Sequence, residues 1–115
     1  MKEDQQYTTN EKSSTHDTVM PLLDSMYLEF KEFSKKKPDA VVSKSKILIV
    51  NRLIMKVRVV LTDEASLEFL DLLDEDDVPQ TSDVTLILSQ YVAAMVEFKL
   101  RFYGWNGDEH VWFSE

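Results

Sequence analysis

The sequence contains no cysteine and, among its 115 residues, only two glycines, three prolines and two histidines. Without cysteine, the chain can form neither a disulfide framework nor a thiolate zinc site. Two glycines are too few for the glycine-rich loops that hold nucleotide phosphates. Because a lack of cysteine suits a reducing compartment, the sequence also predicts a cytoplasmic protein.

Long apolar runs are missing as well. Residues 1–18 contain no apolar stretch that could serve as a signal peptide. The most apolar segment, Ile47–Leu61, is interrupted by Asn51, Arg52, Lys56 and Arg58, so we expect no membrane-spanning helix. The net charge of −8 argues against direct binding of nucleic acid, since that affinity comes largely from basic groups.

Charge is divided between two neighbouring segments. Residues 31–58 hold nine basic and two acidic side chains, whereas residues 63–83 hold nine acidic side chains and no basic one. A segment of one sign attracts a surface of the opposite sign and speeds association. This pattern favours contact with another protein or with a second copy of the chain.

The spacing of apolar residues predicts an all-α fold. Residues 1–15 are polar and predict a mobile tail, and residues 16–115 are expected to form one domain. Apolar residues at three- and four-residue steps predict long helices over 16–37, 47–61 and 83–103, with a short helix over 63–76. We expect these helices to pack as a small up-and-down bundle, followed by an aromatic C-terminal segment.

Capping residues refine these boundaries. Pro21 is tolerable in the first turn of the first helix, and Asp39 or Ser43 could cap the second. Ser82 is a good N-cap for the last helix, and Gly104 is placed to end it in a left-handed conformation. The sequence "WNGDEHVWFSE" contains an Asn-Gly turn, so it could fold back as a ribbon or pack across the bundle.

The segment Ile47–Leu61 is the one whose secondary structure is least obvious. The stretch "MKVRV" alternates apolar and polar residues, as a strand would, and an α+β fold with a hairpin here is the alternative. A hairpin needs a tight turn, but Asn51-Arg52 supplies no glycine for it. A helix is therefore predicted, and it places Leu48, Met55 and Val59 on a second apolar stripe beside the main one.

Three surfaces are candidates for binding a partner. They are the second-helix residues Leu48, Arg52, Met55, Lys56 and Val59, the acidic residues Asp71, Asp74, Glu75, Asp76 and Asp77, and the aromatic residues Trp105, Trp112 and Phe113. Each has a structural alternative: neighbouring helices could bury the stripe, the acidic run could be a solvated face, and the aromatic residues could close the core.

Catalytic groups are scarce. Arg101, Asp108, Glu109 and His110 are the residues from which a small helical nuclease or a metal-dependent hydrolase could be built. The acidic run lacks the central glycine and the final glutamate of a calcium loop. The sequence thus predicts a non-enzymatic protein–protein interaction module, such as an adaptor, inhibitor or immunity-type protein, without catalytic residues, metal or cofactor. A structural subunit of a homo-oligomer is the second hypothesis, and the enzyme is the third.

Overall fold

The computed structural model describes residues 5–115, and three α-helices make up most of them. They are α1 (Asn10–Lys36), α2 (Lys44–Val60) and α3 (Thr81–Phe102). Two short antiparallel strands, β1 (Tyr103–Trp105) and β2 (His110–Trp112), follow α3. The predicted, mostly helical fold is confirmed. The small sheet also agrees with an α+β description, although its hairpin lies at the C-terminal end and not within the second helical segment.

The helix α1 begins earlier than predicted. The Thr9 hydroxyl accepts a hydrogen bond from the Lys12 N–H at 3.1 Å and caps the helix, well before His16. The preceding Thr8 forms a parallel bridge with Ser114, so the far end of the chain holds this residue in place. Residues 10–15 therefore belong to α1 and not to a tail, and residues 1–4 of the predicted tail lie outside the described residues. The polar first turn has no apolar repeat from which a helix could be predicted.

A second correction in α1 concerns Pro21, which lies inside the helix and not in its first turn. Proline has no N–H to donate to the carbonyl of Asp17, four residues earlier. Both residues are exposed, so water can reach that carbonyl in place of the missing donor.

The segment Ile47–Leu61 is helical, as predicted, with Leu61 as the C-cap of α2. Of the two predicted N-caps, Ser43 serves, because its hydroxyl accepts a hydrogen bond from the Lys46 N–H at 3.3 Å. The buried face consists of Ile47, Val50, Ile54, Val57 and Val60. Ile49 is 51% exposed and contributes to the site described below.

The predicted short helix over 63–76 is absent from the described residues, which contain two 3₁₀ turns there, Ala65–Phe69 and Glu75–Asp77. Residues 62–80 are here called the return segment. Outside its two 3₁₀ turns the segment is irregular. Side chains of the neighbouring helices take its backbone hydrogen bonds: Asn51 bonds to both the N–H and the C=O of Leu73, and Arg58 donates to the Leu70 carbonyl. Backbone groups bonded in this way are not available for a continuous helix.

The direction of the helices follows from contacts at their ends. The Thr81 hydroxyl, at the start of α3, donates to the carbonyl of Pro38 just after α1, so α1 and α3 are antiparallel. The Lys12 ammonium group, near the start of α1, donates to the carbonyl of Thr62 just after α2, so these two helices are antiparallel as well. The return segment therefore carries the chain back along α2 to the start of α3. It takes the place of the short helix predicted over 63–76.

Two details of the predicted termini of α3 are wrong. The N-cap is Gln80 and not Ser82, and the Asp83 carboxylate accepts a hydrogen bond from the Gln80 N–H at 2.8 Å. Gly104 lies in β1, whereas Gly107 in the hairpin turn has the positive φ of 110°. The Asn106 side chain accepts hydrogen bonds from two N–H groups of this turn, which explains the predicted Asn-Gly signal.

Candidate functional site

An open apolar groove of about 810 Å³ runs between α1 and α2. Its floor contains Val19, Val42 and Val50, which are buried. Its walls are apolar side chains that remain in contact with solvent. The most exposed of these are Leu22 and Phe33 on α1, Val41 before α2, and Ile49 on α2.

The apolar stripe of α1 explains why the groove exists. The sequence places Val19, Leu22, Leu23 and Phe33 on one helical stripe, which suggests a single buried face. In the structure Leu23 is fully buried, but Leu22 is 57% and Phe33 is 48% exposed. The apolar stripe of α1 is thus wider than the part of it that is buried in the core. Its outer edge lies along the groove, and the width of the stripe was the only feature of the sequence that could have revealed the site.

The edges of the groove differ in charge. The α2 edge carries Lys46, Arg52 and Lys56, and no carboxylate within residues 5–115 forms an ion pair with any of the three. The α1 edge carries Glu29. The groove therefore has one basic edge, and no carboxylate among residues 5–115 pairs with its charged groups.

The predicted second-helix residues lie beside the groove. Leu48, Met55 and Val59 are 59%, 52% and 39% exposed, so the alternative in which neighbouring helices bury them is not observed. On the helical wheel Arg52 and Lys56 lie between this stripe and the groove. Sequence reasoning identified these two basic residues as candidates but missed the groove residues on the other side of them.

The acidic residues lie elsewhere, on the return segment. Asp71, Asp74, Asp76 and Asp77 are exposed and Glu75 is half buried. The segment has no basic residue of its own, but other elements supply partners: Lys44 lies 3.5 Å from Asp76, and Arg101 forms an ion pair with Glu64. Its charge is therefore partly neutralised by tertiary contacts that the sequence could not show.

The three C-terminal aromatic residues do not form one surface. Trp112 is half buried against His16 and Phe98, with ring centroids 5.1 and 6.1 Å away, and its indole N–H donates to the Asp17 carboxylate at 3.1 Å. Phe113 is half buried with its ring 6.1 Å from that of Tyr7. Trp105, in contrast, is 57% exposed at the hairpin. Trp112 therefore packs against one end of the core, whereas Phe113 contacts Tyr7 and Trp105 stays exposed.

His16, the residue at which the first helix was predicted to begin, lies inside this end of the core. It is 2% exposed, and its Nε2 lies 2.9 Å from the Met95 carbonyl oxygen. Its ring stacks on that of Phe98 at 5.9 Å. Burial lowers the pKa of the imidazole, and the hydrogen bond to Met95 opposes this effect only in part.

The residues considered for an enzyme are placed around the hairpin. Arg101 forms ion pairs with Glu64 and Glu97, so carboxylates already surround its guanidinium group. His110 is exposed, with its ring 5.2 Å from that of Trp105, and Asp108 and Glu109 are exposed in the adjoining turn. Within residues 5–115, no three histidine, aspartate or glutamate side chains come together as metal ligands would.

Comparison of the chain with protein-family models, with curated proteins and with solved structures finds no match. Among residues 5–115, no helix is both long and apolar enough to span a membrane, as expected from the sequence.

Proposed function

We propose that this chain is a non-enzymatic protein–protein interaction module that binds its partner through the groove between α1 and α2. The observation that carries the proposal is the apolar wall of the groove, where Leu22, Phe33, Val41 and Ile49 are each about half exposed. A contiguous exposed apolar surface with polar edges is typical of a site of protein interaction. Contact between these apolar side chains and water is unfavourable in free energy, and a partner that covers them would remove that contact.

The architecture supports the same proposal. We regard the fold as an up-and-down helical bundle in which α3 and the return segment pack against α1 and α2 on one side, and the groove between α1 and α2 is left uncovered. An additional element laid into the groove would complete the layer of packed side chains. An adaptor, inhibitor or immunity-type protein, acting in the cytoplasm as the lack of cysteine suggests, would fit this arrangement.

The groove supports binding better than the acidic residues of the return segment do. Exposed carboxylates are well hydrated, and two exposed ones of this segment, Asp63 and Asp76, already have a lysine of the same chain within 4.0 Å. The exposed stripe Leu48, Met55 and Val59 favours the second hypothesis, a homo-oligomer, because a second copy could cover it.

Affinity capture from native cell extract with matched variants tests the proposal. We expect Leu22→Glu and Ile49→Glu each to abolish capture of a partner that the wild-type chain retains, because each places a charge in the apolar wall. Lys31→Glu and Leu100→Glu, which change exposed residues on other faces, should capture it normally. Circular dichroism checks that all variants remain folded.

Three results would contradict the proposal. Capture that is unaffected by both groove substitutions would place binding elsewhere. Loss of binding in Leu48→Glu with Met55→Glu, but not in the groove variants, would move the site to the exposed stripe. Sedimentation of the wild type as a dimer that becomes a monomer in this double variant would favour the homo-oligomer.

A further inference from the structure

We propose that the occupant of the groove is an amphipathic α-helix of another protein that carries acidic residues along one edge of its apolar face. The inference rests on the proposed function and specifies the chemistry of the partner. Three features support it: the dimensions of the groove, its openness to solvent and the charge of its edges.

The dimensions suit a helix. The α1 wall extends from Leu22 to Phe33, which at 1.5 Å per residue corresponds to about 16 Å, or three turns of a partner helix. The groove lies between two antiparallel helices, and helices commonly pack into such grooves by placing side-chain ridges between neighbours. A helix with apolar residues at three- and four-residue steps would present one side chain per turn to the floor.

The openness of the groove favours a macromolecule over a small ligand. Small-molecule sites usually enclose about 70–90% of their ligand. Here the wall residues Leu22 and Ile49 are 57% and 51% exposed, so an occupant would be covered on one side only. A helix needs no more than that, because its outer face is polar and remains in water.

The charge of the edges specifies the flanks of the helix. Lys46, Arg52 and Lys56 on the α2 edge have no ion-pair partner within residues 5–115, and they would face the flank of the helix nearest α2. Glutamate or aspartate on that flank would be complementary to them, whereas lysine there would be repelled. On the flank of the partner helix nearest α1, the negative charge of Glu29 favours a neutral or basic residue.

A second copy of the chain is a weaker choice of occupant. Its acidic return segment is held to α2 by Asn51 and Arg58 and contains no helix of three turns. The exposed apolar residues of α3, Leu86, Val96 and Leu100, could enter a groove, but such a face-to-groove contact is heterologous and does not close into a symmetric dimer.

A displayed library of helical peptides tests the inference. Each peptide would have about 18 residues with a fixed apolar stripe, and the flanking positions would vary among Glu, Gln and Lys. We expect selection on the wild-type chain to enrich peptides with Glu on one flank. Measured by fluorescence anisotropy, the Kd of the best peptide should rise about tenfold in Arg52→Glu and increase with salt, because like charges then face each other.

Matched variants separate charge from general effects. Lys31→Glu makes the same change of charge on an exposed face of α1 outside the groove and should leave the Kd unchanged. Leu22→Glu should remove binding, and Glu29→Lys should keep or improve it. Enrichment of basic or uncharged flanks, binding that persists in Leu22→Glu, or the absence of any enriched helix would overturn the inference.

Two further outcomes separate this inference from the proposed function. If dodecanoate, a small amphiphile with one carboxylate, shifts the NMR signals of the groove and no helix is enriched, the site binds a small ligand. If groove substitutions abolish capture of the native partner while selected helices show no preference for Glu, the helix inference fails and the proposed function remains. If neither experiment depends on groove residues, both fail.

Discussion

Asn51 provides the sharpest test of how the return segment is held. Its side-chain amide donates to the Leu73 carbonyl at 2.7 Å, and its side-chain oxygen accepts from the Leu73 N–H at 3.2 Å. The Asn51 side chain thus satisfies both backbone polar groups of Leu73, as a neighbouring strand would do in a sheet. Leu73 itself is buried in the core, so both groups lie where water has limited access. We expect Asn51→Ala to destabilise the fold without changing the groove.

The magnitude follows from the contacts. Two hydrogen bonds contribute about 1 kcal/mol each, and leaving the Leu73 peptide group unsatisfied raises the cost to about 2–3 kcal/mol. Alanine in a helix is better than asparagine by about 0.5 kcal/mol, which offsets part of the loss. The expected net loss in the free energy of unfolding is about 2 kcal/mol. With an unfolding entropy of about 2.1 cal/mol/K per residue, this lowers the Tm by about 8 °C.

Urea denaturation followed by circular dichroism measures this loss. Hydrogen exchange of the Leu73 amide should accelerate in the same variant, since its acceptor is gone. The exposed neighbouring residue provides the control: Arg52→Ala should change the free energy of unfolding by less than about 0.5 kcal/mol. If Asn51→Ala is as stable as Arg52→Ala, the return segment does not depend on the Asn51 side chain.

Two further predictions concern the other end of the core. Burial lowers the pKa of His16 in the folded state, so the folded state favours the neutral imidazole. The free energy of unfolding is therefore highest above the unfolded-state pKa of about 6.5 and decreases as the pH falls below it. The difference in the free energy of unfolding between wild type and His16→Gln should shift with pH between about 7 and 5; a constant difference would contradict this. Removing residues 104–115 takes Trp112 away from Phe98, so we expect a loss of at least about 3 kcal/mol in urea denaturation. Trp105→Ala should have little effect, and a truncated chain that unfolds like the full chain would show that these residues do not close the core.

Local sequence rules predicted α2 and the turn of the C-terminal hairpin correctly. The segment Ile47–Leu61 is a helix because it has no glycine at which a hairpin could turn, and its valines and isoleucines repeat on one face. The Asn-Gly dipeptide forms the turn of the C-terminal hairpin for an equally local reason, since Gly107 adopts a positive φ. These preferences depend on neighbours in the chain, which a sequence displays directly.

Local rules were wrong where distant residues supply the hydrogen bonds. The first turn of α1 is polar, yet the chain just before it is held in place: the Thr8 N–H donates to the Phe113 carbonyl, and the Thr8 carbonyl accepts from the Glu115 N–H. The acidic segment after α2 has a helical pattern of leucines, yet Asn51 and Arg58 bind its backbone in an irregular conformation. Neither partner is close in sequence, so no pattern within the segment could have revealed these bonds.

Three properties followed from the sequence without tertiary information: which residues are apolar on each helix, where α2 and α3 begin and end to within a few residues, and how charge is divided along the chain. The tertiary structure alone decided which part of each apolar stripe is covered. Leu22 and Leu23 follow each other on α1, and one is half exposed while the other is fully buried. The period of a helix is a local property, whereas coverage depends on how many neighbours pack around it, and that number is set only when the whole chain folds.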